Sequence, residues 1–256
     1  MTPTELVLAA VTAIFVDADV DAARTLLAPG YIQHNVAVPT GADPILGFIP
    51  VLEESGIELT THRVITEDDM VVLHNTYNNA QALGAETLVA FDVFRVENGQ
   101  VVEHWDNLSV PPAETVSGRS MTDGPTEVVD IELTAQNKAL VEGFISDVLQ
   151  GGAPDRITDY ISTNTYMQHN PLVGDGLHGL GTALAAMAEA GQEMAYTETH
   201  LVLAEGNFVF SASEGTIGET PTAFFDLFRV KNGLIVEHWD TVSEIPADMS
   251  HDNGKF

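Results

Sequence analysis

One histidine and two aspartates recur together in this chain. Residues 92–106 read DVFRVENGQVVEHWD and residues 226–240 read DLFRVKNGLIVEHWD, identical at eleven of fifteen positions at an offset of 134. Upstream, Tyr31-Ile-Gln-His-Asn35 returns as Tyr166-Met-Gln-His-Asn170 at an offset of 135. His34, Asp92, His104 and Asp106 thus have the counterparts His169, Asp226, His238 and Asp240. A histidine and a carboxylate facing an apolar space suit proton abstraction beside a carbonyl. Desolvation raises the carboxylate pKa towards neutrality and makes it a better base. A neighbouring histidine or tyrosine can then donate to the enolate oxygen that develops.

Two other uses fit the same residues. An Asp–His pair on adjacent strands can be a satisfied buried network that fixes the fold. His34, His104 and Asp92 also offer two imidazoles and one carboxylate, as non-haem iron sites do. No H-x-H or H-E-x-x-H spacing selects for that, so neither a metal nor another cofactor is expected. Gly174-Asp-Gly176 and Gly179-Leu-Gly181 lack the strand and lysine of a nucleotide loop. No Gly-x-Ser-x-Gly elbow occurs either.

The repeat spans half of a 256-residue chain, so it marks two copies of one domain rather than a solenoid, whose period is roughly 20–50 residues. The expected division is residues 1–110, a linker over 111–132 rich in Pro, Gly, Ser and Thr, a second copy over 133–248 and a tail over 249–256. Cysteine is absent, which excludes disulfides, thiol nucleophiles and thiolate metal sites. The net charge of −29 repels phosphate backbones and anionic lipid, so nucleic-acid and membrane binding are not expected. High-salt adaptation and plain acidic solubility account for that charge equally well. The apolar stretch over 6–16 is bracketed by Glu5 and Asp17 with no basic residue before it, unlike a secretory signal. The expected compartment is the cytoplasm, with a trimmed leader left open.

Each copy runs helices first, strands second. Thr2-Pro3-Thr4-Glu5 predicts a capping box at the head of a helix over 3–16. A short helix follows over 20–27, broken by Ala28-Pro29-Gly30. Asp43-Pro44 predicts the N-cap and first residue of a third helix, closed by Gly56 and, in the second copy, Gly191; Thr134 is the expected cap of that copy's first helix. Strands over 58–65, 70–79, 86–96 and 100–108 then form an antiparallel meander, with Asn98-Gly99 and Asn232-Gly233 as hairpin turns. The class is α+β, with helices on one sheet face.

Strand alternation sorts the ionisable groups by face. A three-residue turn ending in a left-handed Gly99 is expected to set Asp92 opposite His104. That turn gathers Asp92, Phe94, Val102, His104 and Asp106 on one face, and Asp226, Phe228, Val236, His238 and Asp240 in the second copy. Trp105 and Trp239 fall on the opposite face, which is expected to meet its counterpart in an intramolecular pseudo-dimer; further self-association is left open. His74 has Ala212 at the aligned position, so the two pockets differ.

With these motifs the chain resembles the SnoaL-like proteins of the NTF2-like superfamily, in the branch labelled predicted aldol-condensation enzymes. Gln168-His-Asn-Pro171 keeps the full first motif; Val36 replaces its proline in the first copy. The resemblance implies two tandem cystatin/NTF2-like cone domains, each a curved sheet around a deep apolar pocket. It is similar in this to polyketide cyclases, ketosteroid isomerase, scytalone dehydratase and limonene epoxide hydrolase. An aspartate on a late strand serves the cyclases as acid/base, and Asp106 and Asp240 are the nearest matches. The expected roles are Asp106 as base, His104 and His34 as donors or proton shuttles, and Asp92 orienting a histidine. Asp240, His238, His169 and Asp226 repeat the set. Tyr31, Asn35, His74, Phe94, Tyr166, Asn170 and Phe228 are expected around the pockets. The function expected is a cofactor-independent lyase, isomerase or cyclase of aldol type acting on a small apolar carbonyl compound. The alternatives are a non-catalytic small-molecule-binding protein and hydration of an epoxide or alkene.

Overall fold

The computed structural model describes residues 1–256 and divides them into two compact units, 1–110 with 246–256, and 111–245. In the first, α1 (Pro3–Phe15), α2 (Val20–Leu26), β1 (Leu27–Gln33), α3 (Ala42–Ser55), β2 (Glu58–Glu67), β3 (Met70–Asn78), β4 (Thr87–Glu97) and β5 (Gln100–Ser109) follow in order. In the second, α4 (Thr134–Phe144), α5 (Ile157–Tyr160), β6 (Met167–Gln168), α6 (Gly176–Glu189), β7 (Met194–Glu205), β8 (Phe208–Ile217), β9 (Thr220–Lys231) and β10 (Leu234–Glu244) repeat the plan. No helix is long and apolar enough to cross a membrane.

The sheets have five strands, not the four expected. Their orders are β1-β5-β4-β3-β2 and β6-β10-β9-β8-β7. The extra strand is the segment after the helix break, and it pairs parallel to the last strand, Gln33 beside His104 and Gln168 beside His238. That parallel edge brings the two distant motifs together. Ala28-Pro29-Gly30 sits inside β1, where an edge strand tolerates a missing N–H.

α1 starts as its sequence predicts. Thr2 Oγ1 accepts from the Glu5 N–H, the Glu5 carboxylate accepts from the Thr2 N–H, and Pro3 opens the helix. Leu6, Val7, Ala10, Val11 and Ile14 then face the sheet, joined by Leu46, Ile49 and Leu52 of α3. Two caps differ from expectation. The residue before α3 is Gly41, at φ 97°, with no side-chain cap, and Asp43 lies in the first turn. Thr134 is inside α4, where its hydroxyl donates to Ile131 O and accepts from the Gly206 N–H instead. α6 corresponds to α3, yet none of its residues is buried.

The late hairpins correct the expected register. Asn98 and Gly99 both have positive φ, 52° and 78°, as do Asn232 and Gly233, at 54° and 74°. Both turns are therefore two-residue type I′. A bulge then restores the face expected for the ionisable groups: Val96 pairs with Val101 and Arg95 with Glu103, leaving Val102 as the extra residue. Val236 is the extra residue in the second unit. Asp92 consequently lies opposite Asp106, and Phe94 opposite His104, with Asp226/Asp240 and Phe228/His238 alike. Val101 and Ile235, rather than Val102 and Val236, join the helix-side core.

Candidate functional site

Each unit encloses a cavity between its helices and the inner sheet face, about 90 Å³ in the first and about 140 Å³ in the second. The walls are apolar, with Phe15, Ile45 and Phe48 in one and Phe144, Leu180 and Met187 in the other. The floors are polar. Gln33, Asn35, Asp92, His104 and Asp106 line the first; Gln168, Asn170, Asp226, His238 and Asp240 line the second. Tyr31 and Phe94, with Tyr166 and Phe228, complete the lining around them.

Three expected site residues, the catalytic candidates His34 and His169 and the pocket candidate His74, lie elsewhere. His34 sits across the sheet, stacked on Trp105 with ring centroids 4.9 Å apart, Nε2 3.0 Å from Glu103 Oε1 and Nδ1 3.0 Å from Gly254 O. His169 stacks on Trp239 at 4.6 Å and lies 2.9 Å from Glu237 Oε1 and 2.8 Å from Asp123 Oδ1. His74 stacks on Phe91 at 4.3 Å and meets Arg63 at 3.0 Å, again away from the cavity. Period-2 alternation gives the reason for the first two: in Gln-His-Asn the flanking residues face the cavity and the histidine faces away. The set His34, His104 and Asp92 is therefore not assembled as a metal site.

Gln33 and Gln168 were missed as site residues, although the same alternation points to them. His104 lies with Nδ1 2.9 Å from Gln33 Oε1 and Nε2 3.2 Å from Asp92 Oδ1. His238 repeats this at 2.9 Å from Gln168 Oε1 and 2.9 Å from Asp226 Oδ1. Asn35 donates to Asp106 Oδ2, and Asn170 to Asp240 Oδ2 at 2.6 Å. Asp92, His104 and Asp106 hold their ligand-type atoms within 4.8 Å of one another, and so do Asp226, His238 and Asp240. Three such groups could hold a cation. The donors already around the carboxylates fit proton traffic better. Asp92 alone accepts from Asn75 at 2.7 Å and Tyr77 at 3.0 Å.

The phenol on the central aspartate comes from different strands. In the first unit Tyr77 on β3 donates to Asp92, and its cross-strand neighbour on β2 is Leu59. In the second, Tyr196 on β7 donates to Asp226 at 3.2 Å, and its neighbour on β8 is Gly215. The hydroxyl reaches the equivalent carboxylate from the adjacent strand, and at Gly215 the missing side chain lets the β7 backbone approach closely. A Cβ at Gly215 would lie 1.8 Å from Ala195 O. Gly215→Ala is therefore expected to cost about 1–3 kcal/mol and to dislodge Tyr196 from Asp226. Urea unfolding, together with the tyrosine resonance, would check both effects.

The two floors also differ in charge. Lys255 enters the first unit from the tail, donating to Asp106 O at 2.6 Å, with Nζ 3.7 Å from Asp106 Oδ1. Burial lowers the Lys255 pKa against the pull of Asp106. His251, near Asn35 O, and Asn253, donating to Gln33 O, hold that tail in place. Asp240 has no such lysine. Burial and the charge of Asp226 raise its pKa from 3.8 to about 6, against the opposing charge of His238. Burial works against the charged His238 ring. Its hydrogen bond to Asp226 and the charges of Asp240 and Asp226 outweigh burial, and its pKa is raised. Tyr166 is held far above ordinary phenol values by burial and by both aspartates, so it stays a proton donor.

The model of the SnoaL-like domain matches residues 8–104 and again 141–238. The chain belongs to the SnoaL-like domain family. Its two SnoaL-like domains each carry the Gln-His-Asn motif, the aspartate of the penultimate strand and the His-Trp-Asp of the last strand. Among solved structures, TsrD from Streptomyces laurentii is 22% identical, covering 41% of this chain and 87% of its own, with a TM-score of 0.35. An NTF2-like protein of unknown function from Cytophaga hutchinsonii is 17% identical, covering 43% and 91%, with a TM-score of 0.36. IdmH from Streptomyces antibioticus, provisionally described as a polyketide cyclase, is 16% identical, covering 43% and 93%, with a TM-score of 0.36. No curated protein matches the chain.

Proposed function

We propose that the second SnoaL-like domain is a cofactor-independent acid/base catalyst acting beside the carbonyl of a small apolar compound. The observation that carries this reading is Asp240 on the floor of an apolar cavity, with its pKa raised to about 6. A base whose pKa lies near the working pH is ionised often enough to act and strong enough to take a proton. Asp240 would remove a proton from the carbon next to the carbonyl. The C–H electron pair passes into an enolate, whose oxygen needs a donor. Tyr166 suits that task better than His238: its oxygen accepts from Gln168 Nε2 at 3.3 Å, which leaves its own proton to give. Both His238 nitrogens are already engaged. With an unsaturated ketone, return of the proton to the far carbon of the dienolate gives isomerisation. Attack of the enolate on a second carbonyl carbon opens its C=O π bond, and return of the proton from Asp240 to the alkoxide formed completes aldol closure.

A panel of small cyclic ketones in deuterated buffer tests this by the rate of C–H exchange. Exchange above the buffer rate, falling about 10²-fold or more in Tyr166→Phe, is expected. Ligands that bind without exchange would instead support a binding protein. The contact of Lys255 with Asp106 favours that second reading for the first domain, whose carboxylate is tethered to a cation.

A further inference from the structure

We infer that Gln168, and Gln33 in the first domain, are positioning residues that fix which nitrogen of the site histidine carries a proton. Hydrogen-bond roles lead to this assignment. Gln168 Oε1 lies 3.0 Å from the backbone N of Asn170, which can only donate. That atom of the amide is therefore the oxygen. The amide's other end agrees with this orientation by donating to the Tyr166 oxygen. An oxygen 2.9 Å from His238 Nδ1 can only accept, so Nδ1 carries a hydrogen. Gln33 has the same arrangement, 2.9 Å from the Asn35 N–H and 2.9 Å from His104 Nδ1.

The consequence falls on the far side of the ring. A neutral imidazole protonated at Nδ1 presents only a lone pair at Nε2. In the second domain that lone pair would face Asp226 Oδ1 at 2.9 Å, two acceptors without a proton between them. A proton must sit there. Tyr196 shares its one hydroxyl proton between the two oxygens of that carboxylate, 3.2 Å from each. Although burial opposes the charge, the hydrogen bond to Asp226 and the charges of Asp240 and Asp226 raise the His238 pKa. The proton therefore resides on His238, and the ring is an imidazolium between Asp226 and Asp240. The charged groups acting on it are Asp226 on β9 and Asp240 on β10, and the phenols Tyr166 and Tyr196 line the same cavity. One amide thus links four parts of the site: the backbone that carries Asn170, the histidine charge, the donor Tyr166 and, through Asn170, the base Asp240.

This resting protonation state holds whether or not the domain turns over a ketone. Nitrogen-15 NMR of histidine-labelled full-length protein reads each ring nitrogen directly. At pH 7, His238 is expected with both nitrogens protonated. In Gln168→Met, which has no acceptor, the titration midpoint of His238 is expected to fall by about one pH unit. Above that midpoint the ring is expected as the Nε2–H form facing Asp226. Gln168→Glu, which keeps an acceptor, should retain Nδ1–H. A wild-type spectrum with Nδ1 unprotonated at pH 7 would overturn the inference, and so would an unchanged His238 in Gln168→Met. If Gln168→Met does not fold, Gln33→Met read at His104 decides: loss of Nδ1 protonation supports the assignment, and an unchanged ring contradicts it.

Discussion

Replacing Asp240 with asparagine is expected to lower any ketone exchange by about 10²–10⁴-fold and, at the same time, to stabilise the protein above pH 6. The two effects have one cause. The folded-state pKa of Asp240, about 6, lies above the 3.8 expected of an unfolded aspartate. A raised pKa means that the fold prefers the protonated group. The stability it contributes is fully present below about pH 3.8 and is lost as pH rises through about 6. The full difference corresponds to roughly 3 kcal/mol. His238 adds to the same trend. Its pKa is also raised, so its contribution is present below its unfolded value and is lost as pH rises past its folded value. The substituted amide carries no charge to bury, but the change also removes part of what holds His238 protonated. The expected net gain is therefore roughly 1–3 kcal/mol at pH 8. Urea unfolding at pH 5 and pH 8 measures it. A purely structural Asp240 predicts a loss of stability in Asp240→Asn at both pH values. An ionisation held against its own interest is what a working base requires.

The largest stability effect is expected on the opposite face of the second sheet. Glu237 is fully buried and receives Arg229 at 2.7 Å and 2.6 Å through Nε and a terminal nitrogen, while His169 Nε2 lies 2.9 Å away. Arg229→Met removes the permanent cation and leaves the carboxylate buried beside a single histidine. Breaking a buried pair from one side costs about 3–5 kcal/mol, because the remaining charge has lost its partner and cannot reach water. Denaturant midpoints should fall accordingly, and Arg229→Met with Glu237→Leu should recover much of the loss. The equivalent Arg95–Glu103 pair is more exposed, with side-chain exposures of 29% and 15%, so Arg95→Met should cost less.

Much of the architecture was legible because it rests on local rules. Strand alternation put Asp92, His104 and Asp106 on one face, and Asn-Gly marked both hairpins. The repeat itself announced two domains. Other features were missed, each for a physical reason. The bulge at Val102 and Val236 cannot be read from turn residues: a three-residue turn and a two-residue turn followed by a bulge give nearly the same face pattern. The parallel pairing of β1 with β5 is a long-range contact, and without it Gln33 and Gln168 had no visible partner. Alternation within Gln-His-Asn would still have sent His34 and His169 away from the cavity; their ionisable type drew attention that their position did not support. Tyr196 was hidden because its equivalent phenol, Tyr77, stands one strand over, so comparing aligned positions shows only Leu59 against Tyr196 and Tyr77 against Gly215. Lys255 came from a tail whose sequence carries no periodicity at all.

At the centre stands the last-strand aspartate of the second domain, in an apolar chamber beside a protonated histidine, with a proton to exchange near neutral pH. Carbon-13 NMR titration of the aspartate carboxyls, with Asp240 assigned by its loss in Asp240→Asn, tests this most directly. A midpoint near 6 is the predicted result. An Asp240 carboxyl that titrates at ordinary aspartate values, around pH 4 or below, would contradict the account.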